Sequence, residues 1–234
     1  MTAAEAQTIG VLGGMGPTAT IDFMRMVIEL TAADRDQDHI PMVVHHNPRV
    51  PNRQDAMFLD GQDPGPVIGE MGRRLEAAGA DFLVMPCNSA HSFVNELAKK
   101  TSVPFVSIVL ATADASARFR RVAVMATDGC LASGLYQDAL TRRGVEVIVP
   151  TDRQLADLMT LIARVKAGDT GSLVKSSMQR IAGELLAAGA EAVIAGCTEI
   201  PLVLDSDTLG APVLSSTEEL ARVAVDMALG RTPG

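Results

Sequence analysis

The chain contains the same stretch twice. Leu75-Glu76-Ala77-Ala78-Gly79-Ala80-Asp81-Phe82-Leu83-Val84-Met85-Pro86-Cys87 aligns position for position with Leu185-Leu186-Ala187-Ala188-Gly189-Ala190-Glu191-Ala192-Val193-Ile194-Ala195-Gly196-Cys197, 110 residues further on. The echo extends outward: Gly10-Val11-Leu12-Gly13-Gly14-Met15-Gly16 answers Ala123-Val124-Met125-Ala126-Thr127-Asp128-Gly129, and Val103-Pro104 answers Ala211-Pro212. A repeat of this length is one supersecondary arrangement used twice. Each half must open with an apolar strand and a glycine turn and later reach a strand ending in cysteine.

With 234 residues the chain can bury a core as one domain or as two lobes of about a hundred residues, and the duplication favours two. The expected division is residues 1–101 plus 209–234 against 102–208. Short apolar runs at Thr8–Leu12, Met42–His45, Asp81–Met85, Phe105–Val109, Val122–Ala126, Glu146–Val149, Ala192–Ala195 and Val213–Leu214 read as strands. Ala19–Ala33, Pro66–Ala78, Ser89–Lys100, Leu131–Arg143, Leu155–Ala167, Ser172–Ala188 and Thr217–Ala228 read as helices between them. Strand–helix alternation implies an α/β fold with parallel sheets covered on both faces. The apolar fraction of 47%, with one Tyr and no Trp, fits an aliphatic helix-on-sheet interior. The termini and Asp60–Pro66 are the only loose-looking stretches.

No run of eighteen apolar residues appears, and Met1–Gln7 lacks the basic-then-apolar pattern of a signal peptide, so a cytoplasmic protein is expected. Three cysteines, an odd count, fit a reducing compartment better than a disulfide framework. A net charge of −8 disfavours nucleic acid and anionic membranes as partners.

Ligands of parallel sheets bind beyond the carboxyl ends of the strands. Gly13–Gly16, Cys87-Asn88-Ser89, Thr127–Cys130 and Cys197-Thr198-Glu199 are all placed there by the strand assignment. If the two lobes face each other through these edges, Cys87 and Cys197 approach one substrate from opposite sides. A strand-to-helix junction favours an anion, so both thiols are expected to gain thiolate character from a following helix. One free cysteine is ordinarily a small buried hydrophobe, but two in register beside polar residues are not explained by packing. Cys130 reads as a packing residue.

Other chemistries find less support. Gly14-x-Gly16-x-x-Ala19 fits a dinucleotide fingerprint formally, yet the next strand ends in His45-His46 where an acidic ribose ligand is needed, and Pro17 cramps the turn. The four histidines, His39, His45, His46 and His91, lack metal-ligand spacing. Asn47–Arg53 is a proline-pinned loop whose arginine is either solvated or a two-pronged carboxylate ligand. Lys166 reads first as a cation at a helix C-terminus.

Ile9–Pro17, Arg35–His39, Met85–His91, Val165–Gly168 and Ala195–Glu199 together resemble the aspartate/glutamate racemase family, most closely its cofactor-independent aspartate racemases. The resemblance runs over nearly the whole chain. It implies two Rossmann-like lobes related by pseudo-twofold symmetry, a homodimer, and pyridoxal-independent two-base racemisation in the cleft between the lobes. Cys87 and Cys197 would be the bases, Cys197 stripping the L-enantiomer and Cys87 the D-enantiomer. Met15, Asn88, Ser89, Thr198 and Glu199 would bind the substrate, with Arg53 and Lys166 on its carboxylates; no metal or other cofactor is implied. Asn52 and Gln54 in Pro-Asn-Arg-Gln, His46, and Cys130 depart from the family pattern near the pocket, which bears on side-chain preference more than on the chemistry.

The expectation is therefore an amino-acid racemase acting on aspartate, with glutamate or a broader set as alternatives. A two-cysteine isomerase of the hydantoin racemase or maleate isomerase type is the rival within the enzymes, and a catalytically silent bilobal ligand-binding protein the rival outside them.

Overall fold

The computed structural model describes residues 6–231, so the expectations for the extreme termini lie outside the described residues. Strands and helices follow in the order β1 (Ile9–Gly13), α1 (Pro17–Thr31), β2 (Met42–His46), α2 (Arg53–Phe58), α3 (Gly65–Ala77), β3 (Phe82–Val84), α4 (Asn95–Lys100), β4 (Phe105–Val106) and α5 (Ile108–Ser116). They continue with β5 (Arg121–Met125), α6 (Asp128–Ala132), α7 (Leu135–Thr141), β6 (Glu146–Ile148), α8 (Asp152–Lys166), α9 (Ser172–Ala187), β7 (Ala192–Ala195), α10 (Ser206–Leu209), β8 (Val213–Ser215) and α11 (Ser216–Ala228). All the strands pair in parallel, in two four-stranded sheets of order β2-β1-β3-β4 and β6-β5-β7-β8. The duplication in the sequence is thus a duplication of topology.

Two compact units result, Met1–Ala111 with Thr217–Gly234, and Thr112–Ser216. The crossings fall inside α5 and at the start of α11, later than the sequence division at 101/102 and 208/209. That division would have exchanged β4 and β8, whereas β4 pairs with β3 and β8 with β7.

The repeat holds at the level of single hydrogen bonds. Gly79 and Gly189 each take positive φ, +92° and +104°, to turn the chain from helix into strand. The amides of Ala80 and Ala190 then reach back to the carbonyls of Leu75 and Leu185. Asp81 accepts from the Thr8 amide at 2.7 Å, and Glu191 accepts from the Arg120 amide at 2.8 Å. Each carboxylate ties the start of its unit's third strand to the start of the first, so the Asp–Glu exchange between halves preserves the contact.

Each unit has its own aliphatic core. Leu12, Ile68, Met71, Leu83 and Met85 pack in the first, and Leu158, Ile162, Met178, Ile181 and Val193 in the second. Apolar burial at about 25 cal/mol per Å² is the main stabilising force of such layers.

Three helix and strand expectations are corrected. Leu131–Arg143 is two helices, α6 and α7, because Gly134 enters the left-handed region at φ +70°. Ser89–Lys100 is a short 3-10 turn, Ser89–Phe93, followed by α4. Phe105–Val109 is strand only to Val106, and the apolar run continues as α5. The rigid loop before Arg53 ends in a helix, α2, which the sequence reading had missed.

Candidate active site

The loops beyond β1, β3, β5 and β7 carry the chemistry. After β1, the Gly14 amide donates to Thr20 Oγ1 at 2.9 Å, and Thr20 donates to the Gly16 carbonyl at 3.1 Å. Gly14 stands at φ +96°, where an added Cβ would lie 2.4 Å from the Asn47 carbonyl carbon, so only glycine fits. The Gly14 amide is therefore taken up within the loop. Met15 is buried in the same core as Val50 and Cys87.

After β3, Cys87 is buried at 6% exposure, its Sγ 3.8 Å from Ser89 Oγ. Pro86 has no N–H to offer the sheet, and the Cys87 amide turns back to the Met85 carbonyl at 2.8 Å. His91, absent from the candidate site in the sequence reading, anchors this loop. Its Nε2 accepts from the Ile108 amide at 3.2 Å, which leaves Nδ1 to carry the proton and donate to the Cys87 carbonyl at 2.8 Å. Full burial pushes the imidazole down to about 4, so it is neutral and ties the cysteine loop to the start of α5. Asn88 is buried and Ser89 half-buried on the same turn.

Arg53 opens α2, which Asn52 caps by accepting from the Gln54 amide at 2.9 Å. Asn does here what Asp would do. The buried Val50 anchors the loop in the core, and Arg53 Nη1 donates to the carbonyls of Pro51 at 3.0 Å and Val50 at 3.3 Å. Its Nε is buried and unpartnered, and no carboxylate among the described residues pairs with it. The guanidinium is thus held through Nη1 while its Nε donor stays unmet.

In the second unit the Gly196 amide stays with the sheet and donates to the Met125 carbonyl at 2.8 Å. Cys197, 7% exposed, donates from Sγ to Glu199 Oε2 at 3.0 Å, and the Thr198 hydroxyl donates to the same oxygen at 3.2 Å. Thr198 and Glu199 are both buried. Burial, then the Glu199 charge and its hydrogen bond, push the Cys197 thiol well up, against a smaller opposing pull from Lys166. Lys166 itself is exposed in the last turn of α8, next to Val165, which packs in the core with Cys197.

The helix-dipole expectation does not survive at Cys197. Only the three-residue 3-10 turn Ile200–Leu202 follows it, too short to supply a macrodipole, and its acidic neighbour opposes a thiolate. Cys130 is fully buried on α6, with its amide donating to Thr127 Oγ1 at 3.3 Å, in keeping with a packing role. His45 is half-buried and His46 exposed at the end of β2. Among the described residues no three His, Cys, Asp or Glu side chains come together as a metal site, and no helix is long and apolar enough to cross a membrane.

The family model described as Asp/Glu/Hydantoin racemase matches residues 12–224. The broad specificity amino-acid racemase RacX of Bacillus subtilis is 31% identical over 222 residues, covering 93% of this chain and 96% of that protein. Among solved structures, the Picrophilus torridus aspartate racemase superposes with a TM-score of 0.86 at 28% identity, covering 97% of this chain and 96% of its own. The Francisella tularensis glutamate racemase, solved with D-glutamate, shares the fold at a TM-score of 0.73 and 12% identity, covering 97% of this chain and 82% of its own.

Proposed function

Because the chain belongs to the Asp/Glu/hydantoin racemase family, we propose that it interconverts L- and D-aspartate by proton transfer at Cα between Cys87 and Cys197, without a cofactor. The observation that carries this reading is the repeat itself. Two buried thiols end equivalent strands of two units with the same topology, each beside polar side chains and neither in a disulfide.

In the forward step the thiolate of one cysteine takes the Cα proton. An S–H bond forms, the Cα–H bond breaks, and the electron pair moves into the α-carboxylate. The thiol of the other cysteine then gives its proton to the opposite face of Cα and becomes the thiolate. Fixed cations stabilise the dianionic intermediate more than the substrate, which is how they accelerate the step. Lys166 supplies one such charge, and the Nε edge of Arg53 is suited to a carboxylate of the substrate. Asn88, Ser89 and Thr198 line the two cysteine loops and bind the amino-acid head. Met15, from the Cys87 unit, and Glu199, hydrogen-bonded to Cys197, are assigned to substrate binding as well. We assign Cys197 to the L-enantiomer and Cys87 to the D-enantiomer, and place the enzyme in the cytoplasm as a homodimer.

A broader substrate range is the second reading, favoured by the near full-length match to RacX. Incubating the pure protein with a panel of L-amino acids and resolving the products by chiral chromatography separates the two. Conversion confined to aspartate supports the first, and conversion of neutral amino acids at comparable rates supports the second. No conversion of any member overturns both. Dialysis against a chelator and a carbonyl-trapping reagent should leave the rate unchanged, and a loss restored by one cofactor would remove the two-thiol mechanism.

A further inference from the structure

The residue two places after each cysteine differs between the repeats: Ser89 after Cys87, Glu199 after Cys197. The first pair is a long contact, 3.8 Å from the Cys87 sulfur to a hydroxyl oxygen that carries no charge. The second is a hydrogen bond of 3.0 Å from the sulfur to a buried carboxylate oxygen that also receives the Thr198 hydroxyl. A thiolate in that place would put two negative groups within hydrogen-bond distance and away from water. Among the described residues, Lys166 is the one cation whose charge reaches Cys197, and the buried Tyr136 hydroxyl on α7 also interacts with its charge.

We infer that Glu199 fixes which of the two thiols carries the proton in the resting protein, holding Cys197 as the thiol, so that Cys197 starts as the acid and Cys87 is left to serve as the base. Glu199 is thus a positioning residue for a proton, acting through Cys197. When Cys197 gives up its proton, its S–H bond breaks and a thiolate is left beside the Glu199 carboxylate, with Lys166 offsetting the second negative charge. When Cys197 must act as base, its S–H bond breaks as the proton passes to Glu199 Oε2, and the Cys87 thiolate takes up a proton from solvent to become the acid. The kinetic consequence, which rests on the racemase reading, is that the enantiomer stripped by Cys87 reacts in the first turnover without prior proton redistribution.

The test reads Cys197 directly and requires no turnover. In a Cys87→Ser protein, with Cys87→Ser/Cys197→Ala as the blank, the ultraviolet absorbance of the thiolate is followed against pH. Glu199→Gln, which keeps shape but not charge, should lower the Cys197 midpoint by at least about one pH unit. Glu199→Asp should bring it back towards the parent, and Lys166→Met should raise it. A midpoint unmoved by Glu199→Gln, or lowered equally by Glu199→Asp, overturns the inference, and Glu199→Asp also serves if the amide variant does not fold. An inactive parent in the chiral assay would overturn the racemase reading while leaving this titration standing.

Discussion

The loops that carry Cys87 and Cys197 occupy the same position in two copies of one fold, and they are built differently. Pro86 releases the first loop from the sheet, and His91 takes over by clasping the Cys87 carbonyl and the Ile108 amide. Gly196 keeps the second loop on the sheet through the Met125 carbonyl, and Glu199 takes hold of the sulfur itself. In one loop the backbone is held and the thiol left to a weak neighbour. In the other the thiol is held. Duplication therefore explains where the cysteines are, and divergence after duplication explains why the two loops hold them differently.

The strongest way to break this comparison is to remove each thiol in turn. Cys87→Ala or Cys197→Ala should lower racemisation by on the order of 10²–10⁴-fold or more. In deuterated water Cys87→Ala should wash deuterium into the L-substrate without inversion, and Cys197→Ala should do the same to the D-substrate. Racemisation within a few-fold of the parent in either variant would remove the two-thiol mechanism, whereas swapped labelling would only reverse the assignment of faces.

Arg53 belongs to the first unit alone and tests whether substrate recognition is as unequal as the thiols. Arg53→Lys replaces a fork by a point charge, and kcat/KM for aspartate should fall by about one to three orders of magnitude, roughly 1.5–4 kcal/mol. Neutral amino acids, if turned over, should be affected far less. An equal fall for both would assign Arg53 to the shared α-carboxylate or to structure.

His91 should leave an acid signature that the second loop lacks. Its native value is lowered from 6.5 to about 4, so as the pH falls through that window the unfolded chain takes up a proton that the native chain refuses. Stability is therefore full above the unfolded value and drains away below it, by about 3 kcal/mol across the window. Urea unfolding at a series of pH values should show this slope in the parent and lose most of it in His91→Asn. An unchanged slope would mean that other groups carry it.

The smallest effects come from exchanging the residue before each cysteine. Gly196→Pro removes the amide that meets the Met125 carbonyl and should cost about 1–3 kcal/mol. Pro86→Gly should change stability by less than about 1 kcal/mol, through the unfolded chain, since no sheet hydrogen bond depends on it. Equal thermal shifts in the two variants would show that the loops are not held as differently as their hydrogen bonds imply.

Much of this molecule is legible in its sequence. The eight apolar runs form eight strands, and the matched cysteines, glycine turns and Asp81–Glu191 equivalence follow from a repeat visible by eye. These features are local: strand periodicity, a glycine needed for positive φ, and a copied stretch of chain act within a few residues. The unit crossings within α5 and at the start of α11, the helix that begins at Ile108 inside an apolar run that reads as strand, and the break at Gly134 depend on what packs against each segment. The same holds for the candidate site. The sequence named both thiols, Arg53 and Lys166, but His91 becomes an anchor only when folding brings the Ile108 amide to its ring from 17 residues away. Likewise, Glu199 presses on Cys197 because the second core buries both, out of reach of the water that would otherwise screen the carboxylate from the sulfur.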